Sequence, residues 1–319
     1  MSHMRIELSV VMPCYNEAEG LAQAIRRVHA VCKGLFLTHE ILIIDDGSTD
    51  GSWAIVEDAA QSIPEVRGLR FSRNFGHEAA SSAGLRHARG IQVLILDADL
   101  QDPPELLAEL RAKMAEGYDV VYGVRRSRAG ESWLKLVSAK LFYRVFNLLT
   151  DNPIPEDTGD FRLMTRRAVD AFVAMPESVV FLRGMISWIG FPQVGIYYDR
   201  KPRETGRSKY NFRKLLGLCI EAITGFSVRP LRIAFVMSMA LFLGALGLTA
   251  VILIGWLSGR GSSDIALVMM VISFIGGVQT LVMGVIGEYL GKLFVESKGR
   301  PLYLIRDTID KAALDAESR

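Results

Sequence analysis

Asp97-Ala98-Asp99-Leu100-Gln101-Asp102-Pro103-Pro104-Glu105 follows Val93-Leu94-Ile95-Leu96, a continuous apolar run short enough to be a strand buried on both faces. Pro103 suits the first position of a helix. Asp102, with Glu105 three residues on, has the spacing of a capping box, so the chain is expected to turn from strand to helix here. Asp97 and Asp99 then sit at the carboxyl end of a strand, where open α/β sheets bind ligands. Two carboxylates one residue apart at a breaking pleat can reach one hard divalent cation and leave positions for phosphate oxygens and water. The stretch reads as a metal-diphosphate site, with Mg²⁺ or Mn²⁺ on Asp97 and Asp99. An isolated Asp-x-Asp is more often an acidic turn that only caps a helix, so the rest of the chain has to decide.

Upstream, Leu8-Ser9-Val10-Val11-Met12 is a strand expected to stop at Pro13, and Asn16 with Glu19 marks a helix start running to about Gly34. Ile41-Leu42-Ile43-Ile44 is a second buried strand, ending in the carboxylates and glycine of Asp45-Asp46-Gly47-Ser48. A strand over 66–71, a helix over 76–89, the strand over 93–96 and another over 120–122 continue the alternation. This pattern predicts an α/β fold, a mostly parallel sheet with helices on both faces. No Gly-x-Gly-x-x-Gly follows the first strand and no Gly-x-x-x-x-Gly-Lys-Ser/Thr loop is present, so phosphates must be held another way. The loops at Tyr15-Asn16-Glu17, Asp45-Asp46 and Asp97–Asp99 are expected to converge above the sheet. Acidic loops beside a metal suit a nucleotide, one carboxylate accepting from the base and another from ribose hydroxyls. Asp-Gly-Ser is equally ordinary turn chemistry. Asp157-Thr158-Gly159-Asp160-Phe161-Arg162 is a second acidic cluster, a polar turn in isolation, and in a sugar-transfer site a group able to face the reacting atoms.

Half of the 319 residues are hydrophobic and the mean hydropathy is positive, unusual for a purely soluble chain. A net charge of +2, with Lys and Arg balanced by Asp and Glu, argues against a nucleic-acid partner. Three widely spaced cysteines indicate neither a disulfide framework nor a zinc site. Met1-Ser2-His3-Met4 reads as a cloning scar, and no charged-then-apolar signal peptide follows it, so the N-terminal domain is expected in the cytoplasm. Residues 132–149 set Lys135, Lys140 and Arg144 among aromatics and leucines, the make-up of an interfacial helix or of a core helix with snorkelling cations. Residues 201–210 hold Lys201, Arg203, Arg207 and Lys209 with Ser208, a loop able to clamp phosphate, directly before a second basic-apolar helix near 211–227.

Residues 231–257 and 265–290 each exceed the ~20 apolar residues that span hydrocarbon, and the short link between them makes a hairpin. Arg229, Arg232, Lys292, Lys298 and Arg300 flank its ends against a lone Arg260 in the turn, which places both termini in the cytoplasm. Gly277, Gly284 and Gly291, with Gly287, are spaced for close helix approach within or between protomers. Residues 300–305 read as a short strand with no legible partner. The expected domains are a catalytic part over 1–228, an anchor over 229–291 and a tail over 292–319.

Pro13-Cys14-Tyr15-Asn16-Glu17, Asp45-Asp46-Gly47-Ser48, Ser72-Arg73-Asn74-Phe75-Gly76, the Asp97 and Asp157 stretches, Arg203-x-x-Gly206-x-Ser208-Lys209-Tyr210 and Arg300-Pro301-Leu302-Tyr303 are each weak signals. In this order, before and after a hairpin, they resemble the polyprenyl-phosphate glycosyltransferases of glycosyltransferase family 2. Those are the dolichol-phosphate-mannose-synthase-like enzymes, and the likeness is greatest to the bacterial bactoprenol-phosphate glucosyltransferase branch with two transmembrane helices. The resemblance covers nearly the whole chain. It implies a GT-A fold, a nucleotide-sugar donor (UDP-hexose first, GDP still open), and a polyprenyl phosphate acceptor such as undecaprenyl phosphate. It also implies Mg²⁺ or Mn²⁺, inversion at the anomeric carbon, a multi-pass place in the bacterial inner membrane, and a homo-oligomer, often a tetramer. By the same likeness Pro13, Tyr15, Asn16, Glu17, Asp45, Asp46, Arg73, Asn74, Asp97 and Gln101 would surround the nucleotide sugar. Asp97 and Asp99 would hold the metal, and Arg203, Arg207, Ser208 and Lys209 the phosphates. Asp99, Asp157 and Asp160 would be the catalytic carboxylates, the split between the last two being open.

A phosphate monoester has a second pKa of about 6, so the acceptor oxygen is largely an anion near neutral pH. Alignment and leaving-group stabilisation should then outweigh general-base help. A processive polysaccharide synthase is the nearest rival, but its usual Gln-x-x-Arg-Trp is missing and Phe181-Leu182-Arg183-Gly184 occupies the comparable region. A catalytically inactive membrane scaffold is disfavoured because Asp45, Asp46, Asp97 and Asp99 are all kept. A flippase is disfavoured because two spans without a buried charge pair offer a sugar no polar path.

Overall fold

A computed structural model describes residues 5–99, 101–126, 158–177, 181–199, 224, 227–258 and 265–310. They fall into two compact units, one holding the described residues through 199 together with those from 300 onward, the other the described residues between 212 and 299. The interfacial-helix reading near 132–149, that near 211–227 except for residues 224 and 227, Asp157, and the Arg203–Lys209 phosphate loop lie outside the described residues.

In the first unit, strands β1 (Leu8–Cys14), β2 (His39–Asp45), β3 (Val66–Phe71), β4 (Gln92–Ile95), β5 (Val120–Arg125), β6 (Thr158–Thr165), β7 (Gln193–Tyr198) and β8 (Ile305–Ile309) form one sheet of order β7-β5-β6-β4-β1-β2-β3-β8. The run β4-β1-β2-β3 is parallel, as is the β5–β7 pair, while β6 and β8 enter antiparallel. Leu8, Val10 and Met12 of β1 and Ile41 and Ile43 of β2 point to one face. There they meet Leu21, Ile25 and Val28 of helix α1 (Ala18–Gly34) and Trp53 and Val56 of α2 (Ser52–Ser62). Residues of the opposite parity face α3 (His77–His87), which comes so close that a Cβ added at Gly84 would lie 2.0 Å from Val11 Cγ1. Helices α4 (Leu107–Ala115), on the α1 face, and α5 (Arg166–Val173) and α6 (Leu182–Trp188), beside α3, complete the layers. Burial on both faces explains the apolar runs Val10–Met12 of β1 and Ile41–Ile44 of β2.

Four local expectations are corrected. β1 continues through Pro13 to Cys14. Val11 O accepts from Leu96 N and Cys14 O from Asp46 N, so odd-numbered residues of β1 face β4, and Pro13 lies past the end of that pairing, where no donor is needed. Helix α1 starts at Ala18, because the Asn16 side chain accepts from Thr49 N instead of capping. Asp102 does not cap: its Oδ1 accepts from the Tyr198 hydroxyl, Glu105 forms a two-point ion pair with Arg27 at 2.7 Å, and only a 3₁₀ turn (Pro104–Leu106) precedes α4. The segment from Thr158 to Arg162 is buried strand, not polar turn.

The second unit contains α7 (Arg229–Leu257) and α8 (Ile265–Ser297), both long and apolar enough to cross a membrane, with almost none of their spanning stretches buried. Large side chains such as Phe235, Phe242, Phe274 and Leu281 are exposed on them. The Tyr289 hydroxyl donates to Ser227 O at 2.5 Å. A Cβ added at Gly277, Gly284, Gly287 or Gly291 meets nothing within 4 Å, so among the described residues these glycines mediate no close approach.

The tail strand is β8, a few residues beyond the expected 300–305, and its partner is β3. Ser72 N donates to Leu304 O and the Tyr303 ring stacks on Phe71 at 4.9 Å. Behind β8, Asp310 pairs with Arg67 at 3.1 Å and Arg89 at 2.5 Å, and Arg67 reaches Glu40 at 2.6 Å, which also accepts from Ser9 and Arg89 N. Burial raises the Asp310 carboxyl, but Arg89 and Arg67 more than reverse this and hold it below the usual carboxylate range. A depressed carboxylate contributes stability that is complete above the unfolded pKa of about 4 and is lost as pH falls through the lower folded value. Asp310→Asn is therefore expected to destabilise the protein by about 2 kcal/mol at pH 7, with the deficit shrinking below pH 4. Thermal unfolding in detergent, and amide exchange across 305–309, check it.

Candidate active site

After β3 the chain returns through α3 to the other side of β1 and lays down β4, so the connections leaving β1 and β4 diverge. A doubly wound sheet opens its ligand crevice at such a switch point, outside the carboxyl strand ends. A cleft of about 170 Å³ occupies it, lined by Pro13, Cys14, Tyr15 and Glu17 after β1, Asp46 after β2, His77 and Ala80 of α3, and Asp97, Ala98 and Asp99 after β4.

The loops around the cleft are tied to one another by their own polar groups. Asn16, at a positive φ of 55°, donates its N–H to Ser48 Oγ (2.9 Å) while its side chain accepts from Thr49 N (2.9 Å). Glu17 N donates to Ser52 Oγ and Ala18 N to Asp50, which also accepts from Ser52. Asp46 accepts from Phe75 N at 2.6 Å and Gly76 N at 2.9 Å, fixing the loop that enters α3. Burial pushes the Asp46 carboxyl up, and those two N–H donors pull against it. Asp45, fully buried, accepts from Ser48 N at 3.0 Å and lies 3.5 Å from Arg70. Gly47 has φ +68°, and a Cβ there would lie 2.4 Å from the Arg73 backbone, so the β2 and β3 loops touch main chain to main chain.

Antiparallel pairing of β6 with β4 brings the second acidic cluster to the first. Ile95 is opposite Arg162, and continuing that register sets Asp97 opposite Asp160. Asp160 is nearly buried, and its oxygens lie 2.9 and 3.3 Å from Arg183 Nε and Nη2 and 3.2 Å from His77 Nε2. Burial alone would raise Asp160, but Arg183 and His77 overturn it and hold the carboxyl well below its ordinary value. Burial likewise opposes a charge on His77, yet the bond to Asp160 with the charges of Asp97, Asp160 and Glu78 pushes it up to about 10. Asp97 goes the other way. Burial raises it, the His77 cation opposes, and Asp160, Asp99 and Asp102 add, leaving it at about 6. Arg162, fully enclosed, falls to about 10 through burial, opposed by Asp160. Glu78 rises to about 7 through burial and Asp160, and its carboxylate accepts from Leu182 N at 2.8 Å, holding the start of α6.

Of the residues picked from sequence, Pro13, Tyr15, Glu17, Asp46, Asp97 and Asp99 line the cleft, and Asp160 faces it from β6. Asn16 instead binds the β2 loop at Thr49, and Asp45 its own turn at Ser48 and Arg70 of β3. Arg73 lies over the Phe75 ring at 3.9 Å and bonds Asn74 O, with both residues exposed. Gln101 N donates to Asp99 Oδ1 at 3.1 Å. His77, Glu78, Arg162 and Arg183 were missed. His77 and Glu78 directly follow the quoted Ser72–Gly76 stretch, and Arg183 lies in the segment set against Gln-x-x-Arg-Trp, so the signal was adjacent in both places.

Asp97 Oδ1 is buried without a hydrogen-bond partner, 3.6 Å from His77, and belongs to an all-oxygen donor pair with Asp99 at the cleft. Such an orphaned oxygen fits a hard divalent cation. Because Asp160 is buried against Arg183, Arg183→Met is expected to destabilise the protein by about 2–3 kcal/mol, and Asp160→Asn added to it to restore part of that loss. A double-mutant cycle by thermal unfolding checks this.

Residues 9–172 match the model of glycosyl transferase family 2. An uncharacterised glycosyltransferase of Synechocystis sp. is 43% identical over 95% of this chain and 96% of its own length. A bactoprenol glucosyl transferase of Shigella phage SfV is 38% identical over 96% of this chain and all of its own. In fold, the chain is similar to a mannosyltransferase from Pyrobaculum calidifontis, solved with GDP-Man and Mn²⁺, at TM-score 0.51 and 17% identity over 90% of this chain and 88% of that one. A family match over half of the chain, full-length relatives and a cleft at the switch point of the sheet agree: the chain belongs to glycosyltransferase family 2.

Proposed function

We propose that the protein transfers a hexose from a nucleotide sugar, UDP-hexose before GDP-hexose, to a polyprenyl phosphate such as undecaprenyl phosphate at the cytoplasmic face of a bacterial inner membrane, inverting the anomeric carbon. The observation that carries this reading is the acidic cleft, Asp97 set against Asp160, in a chain 38% identical along its length to a bactoprenol glucosyl transferase. The two apolar helices support a lipid acceptor. The chain leaves the first unit before α7 and rejoins it at β8, which supports two spans whose outer ends share one side, and the flanking cations favour the cytoplasm.

Asp97 and Asp99 would hold Mg²⁺ or Mn²⁺, which when bound neutralises the departing nucleoside diphosphate. Pro13, Tyr15 and Glu17 line the cleft and would flank the nucleoside. Asp160, kept ionised by Arg183 and His77, is too weak a base to take a proton at neutral pH, so its part is to hold sugar hydroxyls and fix those cations. The acceptor needs no strong base, because its phosphate is already an anion. Bringing that anion to the sugar falls to Arg203, Arg207, Ser208 and Lys209, whose donors make charge-assisted bonds to phosphate. Asp157 remains a second candidate for the sugar.

Purified full-length protein in detergent, given undecaprenyl phosphate, Mg²⁺ or Mn²⁺ and labelled UDP- and GDP-sugars, should move label into the lipid phase from one donor, and EDTA should stop it. Folded protein that labels lipid from none of them overturns the proposal. Asp99→Ala is expected to lower kcat at least about 10²-fold with the protein still inserted in membranes; full activity removes Asp99 from the metal. Lys209→Ala is expected to raise KM for lipid phosphate or donor about tenfold, near 1.4 kcal/mol, and unchanged rates at limiting concentrations of both would remove the clamp.

A further inference from the structure

We propose that His29, His39 and Glu65 form a second metal site, of zinc type, at the amino end of the sheet. His29 lies on α1, His39 opens β2 and Glu65 immediately precedes β3. The cleft is at the other end of β2, about 20 Å away at about 3.3 Å per residue. His29 Nδ1 and His39 Nε2 are 3.1 Å apart, and one ligand atom from each of the three side chains lies within 4.8 Å of the others. Two imidazole nitrogens at about 2.1 Å from one tetrahedral zinc ion stand about 3.4 Å apart, so the pair is within a few tenths of an ångström of ligating distance.

The orientation of His39 agrees. Its Nδ1 lies 2.9 Å from Leu37 O, and since a carbonyl only accepts, Nδ1 carries a proton, which leaves Nε2, on the His29 side, as the nitrogen that would ligate a metal. A backbone carbonyl on the remote nitrogen is the usual orienting partner of a metal-bound imidazole. His39 is buried while His29 and Glu65 are half-buried, so a cation has access from one side. Two imidazoles and a carboxylate suit Zn²⁺ rather than Mg²⁺, with a water as fourth ligand. Occupied, the site joins α1 to the starts of β2 and β3, a structural role separate from transfer chemistry.

Full-length protein purified in detergent without a polyhistidine tag is titrated with Zn²⁺ in a large excess of Mg²⁺, which occupies the cleft carboxylates. Bound zinc is measured after gel filtration, and Co²⁺ substitution reports coordination by its visible absorption. About one Zn²⁺ per chain, a four-coordinate Co²⁺ spectrum, and at least tenfold weaker binding in His29→Gln and in Glu65→Gln support the site. Thermal unfolding of each variant, expected within a few degrees of the parent at these half-buried positions, checks that it is folded. Zinc uptake in His29→Gln equal to the parent's, or loss of the zinc in Asp97→Asn/Asp99→Asn with the His29 variant unaffected, overturns it. The pair is then two neutral imidazoles sharing a hydrogen bond.

Discussion

Asp97 and Asp160 lie side by side because β6 runs antiparallel to β4, and two carboxylates in a shared, partly dry site repel each other unless cations are supplied. The protein supplies them from two directions. His77 comes from the first turn of α3, which the Asp46 carboxylate fixes by holding the preceding loop, and Arg183 comes from α6, whose start is held by Glu78. The result is asymmetric. Asp160 is hydrogen-bonded to both cations and stays ionised, while Asp97 keeps an oxygen, 3.6 Å from His77, without a hydrogen bond beside Asp99. Charge that the protein leaves unbalanced is charge available to a metal and, through it, to a diphosphate.

The parallel half of this arrangement was legible from residue order alone. Buried strands give unbroken apolar runs, and β1 to β4 with their helices follow from the alternation within a residue or two at most ends. The antiparallel half was not. β6 opens with Thr158-Gly159-Asp160, polar residues that read as a turn, and only its register against β4 shows that Asp160 serves the cleft. The capping-box spacing at Asp102 failed for a related reason. Tyr198 of β7, far along the chain, claims that carboxylate, and a contact across the sheet outweighs a local pattern worth about 1 kcal/mol.

Within the site, sequence located the carboxylates better than it assigned their work. Asp46 and Asn16 are where a nucleotide-binding reading puts them, yet their side chains are spent on neighbouring loops. His77 and Arg183 carry no motif of their own, and their importance appears only once β6 has placed an acid beside them. The three ligand candidates His29, His39 and Glu65 are likewise scattered over three elements, with no spacing that marks them in advance.

The strand that pairs with β3 at the edge of the sheet is made only after both apolar helices. Until both apolar helices have been made, β3 is an open edge, Phe71 lacks the ring that stacks on it, and Arg67 and Arg89 lack Asp310. A ribosome that stops early, or a protease that clips the tail, therefore leaves an enzyme with its active-site strands in place and a flank that invites foreign pairing. Completion of the sheet is in this way tied to the making of both apolar helices, because the strand that covers β3 lies beyond them in the chain.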